Sequence, residues 1–188
     1  MTLFATAETE RPPEAPGLRY YQQEAVDSVF EKLKEDRSTL VVMATGLGKT
    51  VLFCEVAKRW PGKVLVLAHR DELLSQTRST LEKATGEWVE LEQGMWKAGD
   101  QTRLVVGSVQ TIYQQARLER FGAEHFSLII IDEAHHAPAP TYRKVMDFFA
   151  NAKVLGVTAT PDRADEKAMG AIFDSVACVL DIEDGAEG

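Results

Sequence analysis

Cysteine is scarce in this chain: of 188 residues only Cys54 and Cys178 carry a thiol, and no Cys-x-x-Cys spacing occurs. That excludes a secreted disulfide framework, and both thiols are expected as buried groups in a reducing, cytoplasmic setting. Long apolar runs are missing as well, none approaching the ~20 residues of a membrane-spanning helix, so no membrane partner is expected. The first residues lack the basic start and apolar core of a signal sequence. Instead Met1–Pro16 carries Glu8, Glu10 and Glu14 among Pro12, Pro13 and Pro16, the pattern of a loose leader. Positive charge is in short supply too, with 21 Lys and Arg against 29 Asp and Glu and a formal net charge of −8. Non-specific affinity for nucleic acid comes mainly from cations that neutralise phosphates. Any grip on such a polymer must therefore be local or shared with other parts.

What is present describes a globular domain. Hydrophobic residues make up 45% of the chain and charged residues 27%, and the length suits one well-cored domain. Tyr21, Ala25, Val29 and Leu33 recur at helical spacing, which predicts an amphipathic helix over Tyr20–Asp36. Short runs rich in Val, Leu and Ile follow at Thr39–Met43, Lys63–Ala68, Arg103–Val106, Leu128–Ile131 and Lys153–Val157, the pattern of strands buried on both faces. Between them, Thr50–Trp60, Asp71–Lys83, Val109–Arg120 and Tyr142–Ala150 have helical spacing. Such alternation predicts an α/β domain, a mostly parallel sheet with helices on both faces. Glu87–Gly99 is less regular and is assigned a short strand, with Trp88 and Trp96 open to either core or surface. Ala177–Ile182 reads as a last strand and Glu183–Gly188 as a frayed end.

The run Thr39–Met43 leads directly into Ala44-Thr45-Gly46-Leu47-Gly48-Lys49-Thr50 and then a helix. A strand, a glycine loop and a helix start form an anion site, because backbone N–H groups and the helix dipole face the ligand. Gly46 and Gly48 permit close backbone approach to phosphate. Lys49 is placed to reach the β- and γ-phosphates of ATP, and the Thr50 hydroxyl to bind Mg²⁺. Met43 stands where the strict phosphate-loop pattern has a glycine, and the competing reading is a glycine turn with a chance Lys-Thr pair.

Ser127–His135 places Asp132 and Glu133 at the end of the most hydrophobic run. In a parallel sheet ligands sit at the carboxyl ends of strands, so these acids and the glycine loop can face one nucleotide. Asp132 then holds Mg²⁺, mostly through water, and Glu133 positions and deprotonates the attacking water. A solvated acidic turn is the plain alternative. Zinc is disfavoured, since Glu133, His135 and His136 lack the His-x-x-x-His spacing and no cysteine cluster completes a ligand set.

With both motifs in this order, the chain resembles the first RecA-like domain of superfamily 2 helicases of the DEAH-box kind, in the branch of type III restriction subunits and excision-repair helicases. The resemblance runs from Leu18 to about Ile182 and implies a RecA-like three-layer sandwich with ATP and Mg²⁺ as cofactors. Leu18-Arg19-Tyr20-Tyr21-Gln22 resembles the family's adenine-reading motif, which assigns base recognition to Gln22 with Arg19 assisting; capping and packing of the first helix is the alternative. By the same match Thr45, Gly46, Leu47, Gly48, Lys49 and Thr50 bind nucleotide. Leu65–Gln76 and Val106–Thr111 resemble the strand-contacting motifs, which makes Arg70, Ser108, Gln110 and Thr111 candidate nucleic-acid contacts. Gly156-Val157-Thr158-Ala159-Thr160-Pro161 resembles the coupling motif, with Thr158 and Thr160 bonding the acidic segment through His135.

Superfamily 2 motors also require a second RecA-like lobe whose arginine fingers complete the ATP site, and nothing after Pro161 is a candidate for it. The expected organisation is a leader over 1–17, the ATP-binding domain over 18–182, and a truncated linker over 183–188. The resemblance implies an ATP-dependent helicase or translocase whose track is nucleic acid, DNA favoured over RNA, with the missing lobe in cis. By itself the chain is expected to be a monomer that binds nucleotide and hydrolyses it slowly. The rival classes are a nucleotide-binding regulatory or scaffold module and a small-molecule kinase.

Overall fold

The computed structural model describes residues 17–185. All of the expected leader except Gly17, and the last three residues of the expected linker, lie outside the described residues. Helix α1 (Tyr20–Glu35) precedes β1 (Ser38–Met43), α2 (Lys49–Arg59), β2 (Val64–Ala68), α3 (Asp71–Thr85), β3 (Val89–Glu92) and β4 (Leu104–Ser108). Then come α4 (Val109–Ile112), α5 (Gln115–Phe121), β5 (Leu128–Asp132), α6 (Pro140–Phe148), β6 (Lys153–Thr158), α7 (Arg163–Gly170) and β7 (Ser175–Leu180). The strands form one seven-stranded sheet in the order β3-β4-β2-β5-β6-β1-β7. Every pairing between these strands is parallel, so the sheet goes beyond the mostly parallel one expected.

The apolar runs are continuous because alternate residues serve two cores. Val41 and Met43 of β1, with Leu128 and Ile130 of β5, pack with α1, α2 and α3 on one face. Leu40 and Val42, with Ile129 and Ile131, pack with residues of α4 to α7 on the other. The result is a three-layer α/β/α sandwich, and parallel strands put all the strand-to-helix loops of the candidate motifs at one edge. No helix of the described residues is long and apolar enough to cross a membrane.

Three expectations need correction. Val109–Arg120 is two helices rather than one, broken where Gln114 turns extended and caps α5. Ile112 and Leu118 are both fully buried in the same core. Six residues of continuous helix at about 100° each would aim them well apart, and the break restores their phase. The last strand runs Ser175–Leu180 rather than Ala177–Ile182, because its start is tied to β1. The Ser175 hydroxyl donates to Thr39 Oγ1 at 3.0 Å, and the Asp174 carboxylate accepts the Arg37 and Ser38 N–H groups at 3.1 and 3.2 Å. Beyond it, Ile182–Gly185 forms a 3₁₀ turn where fraying was expected. Helix α7, unassigned by periodicity, is set by its cap: Asp162 Oδ1 accepts the Asp165 N–H at 2.8 Å.

Candidate active site

The loop between β1 and α2 is shaped by its glycines. Gly46 and Gly48 both have φ of 91°, a conformation that disfavours any side chain. A Cβ on Gly48 would lie 2.4 Å from Gln22 Nε2, whereas one on Gly46 would meet nothing within 4 Å. Open space over Gly46 and a tight floor under Gly48 are what a phosphate cradle requires. Leu47 is buried and anchors the loop, its carbonyl accepting Gln22 Nε2 at 2.8 Å and the Tyr21 hydroxyl at 3.3 Å. Lys49 is the first residue of α2, with Thr50 exposed beside it.

Gln22 occupies the capping and packing position that the sequence left open. Its Oε1 accepts the Arg19 N–H at 3.0 Å while its amide nitrogen holds Leu47. An amide has two donor hydrogens and two acceptor lone pairs, and these two bonds use one of each. Arg19 donates to the Tyr21 hydroxyl at 3.1 Å. Tyr21 is therefore a loop-holding residue missed by motif reasoning, and only its long-range bond to Leu47 identifies it.

Asp132 ends β5, two strands from β1 across β6. Next to it, Glu133 has φ of 53°, the single positive value at a non-glycine among the described residues. This left-handed turn swings the Glu133 carboxylate back toward the glycine loop, and such strain is characteristic of sites where geometry matters more than stability. Lys49 Nζ lies 3.6 Å from Glu133 Oε1, so the structure brings these two predicted residues together. Asp132 Oδ1 accepts the Glu133 N–H at 2.9 Å. Burial, and then the charge of Glu133, push the Asp132 carboxyl above its usual range, against the lowering effects of that hydrogen bond, Lys49 and His135.

His135 Nδ1 sits 3.3 Å from Thr158 Oγ1 and 3.6 Å from Glu133 Oε2, which joins the coupling strand β6 to the acidic turn. Thr160 faces the same space, a cavity of about 150 Å³ also lined by Glu133, His135 and Thr158. A second cavity of about 250 Å³ is lined by His69, Arg70, Leu73, Asp132, Glu133 and His136. His136 stacks on His69 with ring centroids 3.9 Å apart, and burial followed by the neighbouring histidines lowers its pKa. This pair escaped sequence reasoning, because the two rings lie far apart along the chain.

The donor set fits magnesium: an alcohol at Thr50 and a carboxylate at Asp132 are hard oxygen ligands, and Mg²⁺ keeps several waters and phosphate oxygens. The strand-contact candidates divide by exposure. Arg70 and Gln110 are exposed at helix starts, as a phosphate contact needs. The Ser108 hydroxyl is fully buried and without a hydrogen-bond partner, and Thr111 is buried with its oxygen accepting the Gly94 N–H at 3.1 Å. Their hydroxyls do not present to the surface, and sequence spacing alone had no means of separating them from Arg70 and Gln110.

The model of the family described as type III restriction enzyme, res subunit, matches residues 16–163. A relative from Saccharomyces cerevisiae that carries an ATP-dependent helicase name, IRC3, is 36% identical over 181 residues, covering 86% of this chain and 26% of the relative. The DNA 3'-5' translocase XPB2 of Sulfurisphaera tokodaii is 31% identical over 150 residues, covering 80% of this chain and 32% of the relative. Among solved structures, the UvsW helicase from bacteriophage T4 superposes with a TM-score of 0.68 at 20% identity, over 84% of this chain and 58% of that one. The chain thus spans about a quarter to a third of these two sequence relatives.

Proposed function

Because the chain belongs to the type III restriction enzyme res-subunit family, as a superfamily 2 RecA-like N-terminal domain, we propose that it is the ATP-binding motor lobe of a nucleic-acid helicase or translocase. The observation that carries this reading is the convergence of Lys49 and Glu133 to 3.6 Å from separate segments, with Asp132 beside them. Residues 18–182 form the working unit, and the catalytic residues are Lys49, Asp132 and Glu133.

In the mechanism, loop N–H groups from Thr45 to Thr50 and the Lys49 ammonium bind the triphosphate. Thr50 and Asp132 would hold Mg²⁺, which when bound would supply positive charge to offset that of the triphosphate. Phosphate oxygens compete for Lys49 and release Glu133, whose carboxylate then accepts the proton of the attacking water. Gln22 offers its remaining donor and acceptor to adenine, with Arg19 beside it. His135 transmits changes at Glu133 to Thr158 and Thr160, and so to the edge where Arg70 and Gln110 meet the strand. DNA is favoured as the track by the DNA-translocase name of the Sulfurisphaera tokodaii relative. A second RecA-like lobe in cis supplies arginines that complete the site, and the isolated chain, a monomer, binds nucleotide and turns it over slowly. Two free cysteines fit a reducing, cytoplasmic location.

Two substitutions test the assignment. Lys49→Ala weakens nucleotide binding by about tenfold or more, the loss of one charge-assisted contact. Glu133→Gln keeps nucleotide binding and lowers single-turnover hydrolysis by about 10²- to 10⁴-fold. Equal loss of affinity from both changes would reverse the roles. Binding without hydrolysis by the unsubstituted chain, even with its second lobe and DNA present, would favour the scaffold reading.

A further inference from the structure

Two large apolar side chains stand in solvent at the tip of a hairpin that follows β3. Gln93 and Trp96 pair across it, with Gly94 at φ 55° in the tight turn. Met95 is 95% exposed and Trp96 70% exposed. Neither side chain adds to the core, yet the backbone beneath them is held firmly. The Glu92 carboxylate, fully buried, accepts Arg117 Nη1, Arg120 Nη2 and the Ala98 N–H, each at 2.6 Å. Arg117 also donates to the carbonyls of Gly94 and Trp96. Burying a carboxylate is costly and is offset only by such complete pairing. Its effect here is to fix the hairpin tip in one geometry.

The hairpin also lies where a strand would pass. It leaves β3 at the same sheet edge as the ends of β2 and β4, since all three run parallel. Gly94 N–H donates to Thr111 Oγ1 at 3.1 Å and Gln93 Nε2 to the Asp71 carbonyl at 3.3 Å. It thus bridges the two helix starts that carry Gln110 and Arg70. With a net charge of −8, the chain is poorly equipped to hold a polyanion by cations alone. Stacking of bases on an aromatic ring needs no positive charge and works with any base. We propose that the Gln93–Trp96 hairpin is a base-stacking platform for a single strand of nucleic acid, with Trp96 as the ring and Met95 as its apolar flank. This rests on the strand-tracking function proposed above.

The test uses the chain with Trp60→Phe and Trp88→Phe, which leaves Trp96 as the sole tryptophan. With ATP and Mg²⁺ present, a short oligo(dT) strand quenches Trp96 emission and binds about tenfold more tightly than an abasic strand of the same length. Adding Trp96→Ala and following binding by strand anisotropy removes that preference and leaves abasic affinity unchanged. Trp96→Tyr retains most of it. Equal binding of the two strands by the parent would overturn the platform while leaving the motor reading intact. Binding of neither strand would also overturn the platform, while the Lys49→Ala and Glu133→Gln measurements decide the motor reading separately. A shift in Trp96 emission with protein concentration alone would make the hairpin a self-association surface and overturn the platform.

Discussion

At Asp132 the requirements of chemistry and of stability oppose each other. Burial and the adjacent Glu133 charge raise its carboxyl above the usual range, so the ionised form is worse off in the folded chain than in the unfolded one. That penalty is fully present above the raised pKa. It fades as pH falls through it, and is gone below the ordinary aspartate value of 3.8, where both states are protonated. Asp132→Asn mimics the neutral form. It is therefore expected to raise the melting temperature of the metal-free chain near neutral pH, with the gain shrinking as pH is lowered and the magnesium dependence of nucleotide binding lost. Thermal melts of both proteins across pH 3 to 8 check this; a destabilised Asn variant at neutral pH would mean that its hydrogen bond to the Glu133 N–H outweighs desolvation. The pairing here was legible from sequence: a lysine after two glycines and paired acids after an apolar run were expected to face one another, and Lys49 and Glu133 do. The left-handed turn at Glu133, which aims its carboxylate at Lys49, was not legible, since no local pattern demands it of a glutamate.

Among the elements, the joint between the C-terminal end of α2 and the start of β3 depends on Arg103. It donates to both carboxylate oxygens of Glu87, just before β3, to the carbonyl of Ala57 in the last turn of α2, and to those of Trp60 and Gly62 just after it. The hydrogen bond from Arg103, with its charge, lowers the Glu87 pKa below 4.5 against a weaker effect of burial. A depressed carboxylate contributes stability that is present above the unfolded value and lost as pH falls through the folded one. Glu87→Gln is expected to cost up to about 1 kcal/mol at neutral pH, the range of a partly exposed pair, and progressively less below pH 4.5. Urea melts at pH 7 and pH 3.5 measure the difference; an equal cost at both would assign the effect to packing. Element types were readable wherever periodicity was strong. The break between α4 and α5 was not, because only the position of the shared core shows that Ile112 and Leu118 must point the same way.

For the whole molecule, binding and folding are linked. A ligand that binds only the folded chain stabilises it by about 2.7 kcal/mol at a hundredfold excess over Kd. For a domain of this length that is a rise in melting temperature of roughly 5–10 °C. ATP with Mg²⁺ is expected to produce such a shift and Lys49→Ala to cut it by about half or more, as read by scanning calorimetry. An unshifted melt at saturating nucleotide would mean that the loop does not hold the triphosphate. The linear chain by itself determined the layered α/β architecture and the candidate residues of each motif, because burial on two faces and phosphate binding impose patterns only a few residues long. Tertiary structure alone decided which motif residues meet. Lys49 faces Glu133 across an intervening strand, Ser108 is sealed inside, and Trp96 stands exposed above a buried Glu92. These outcomes depend on strand order and long-range packing, which no short stretch of sequence contains.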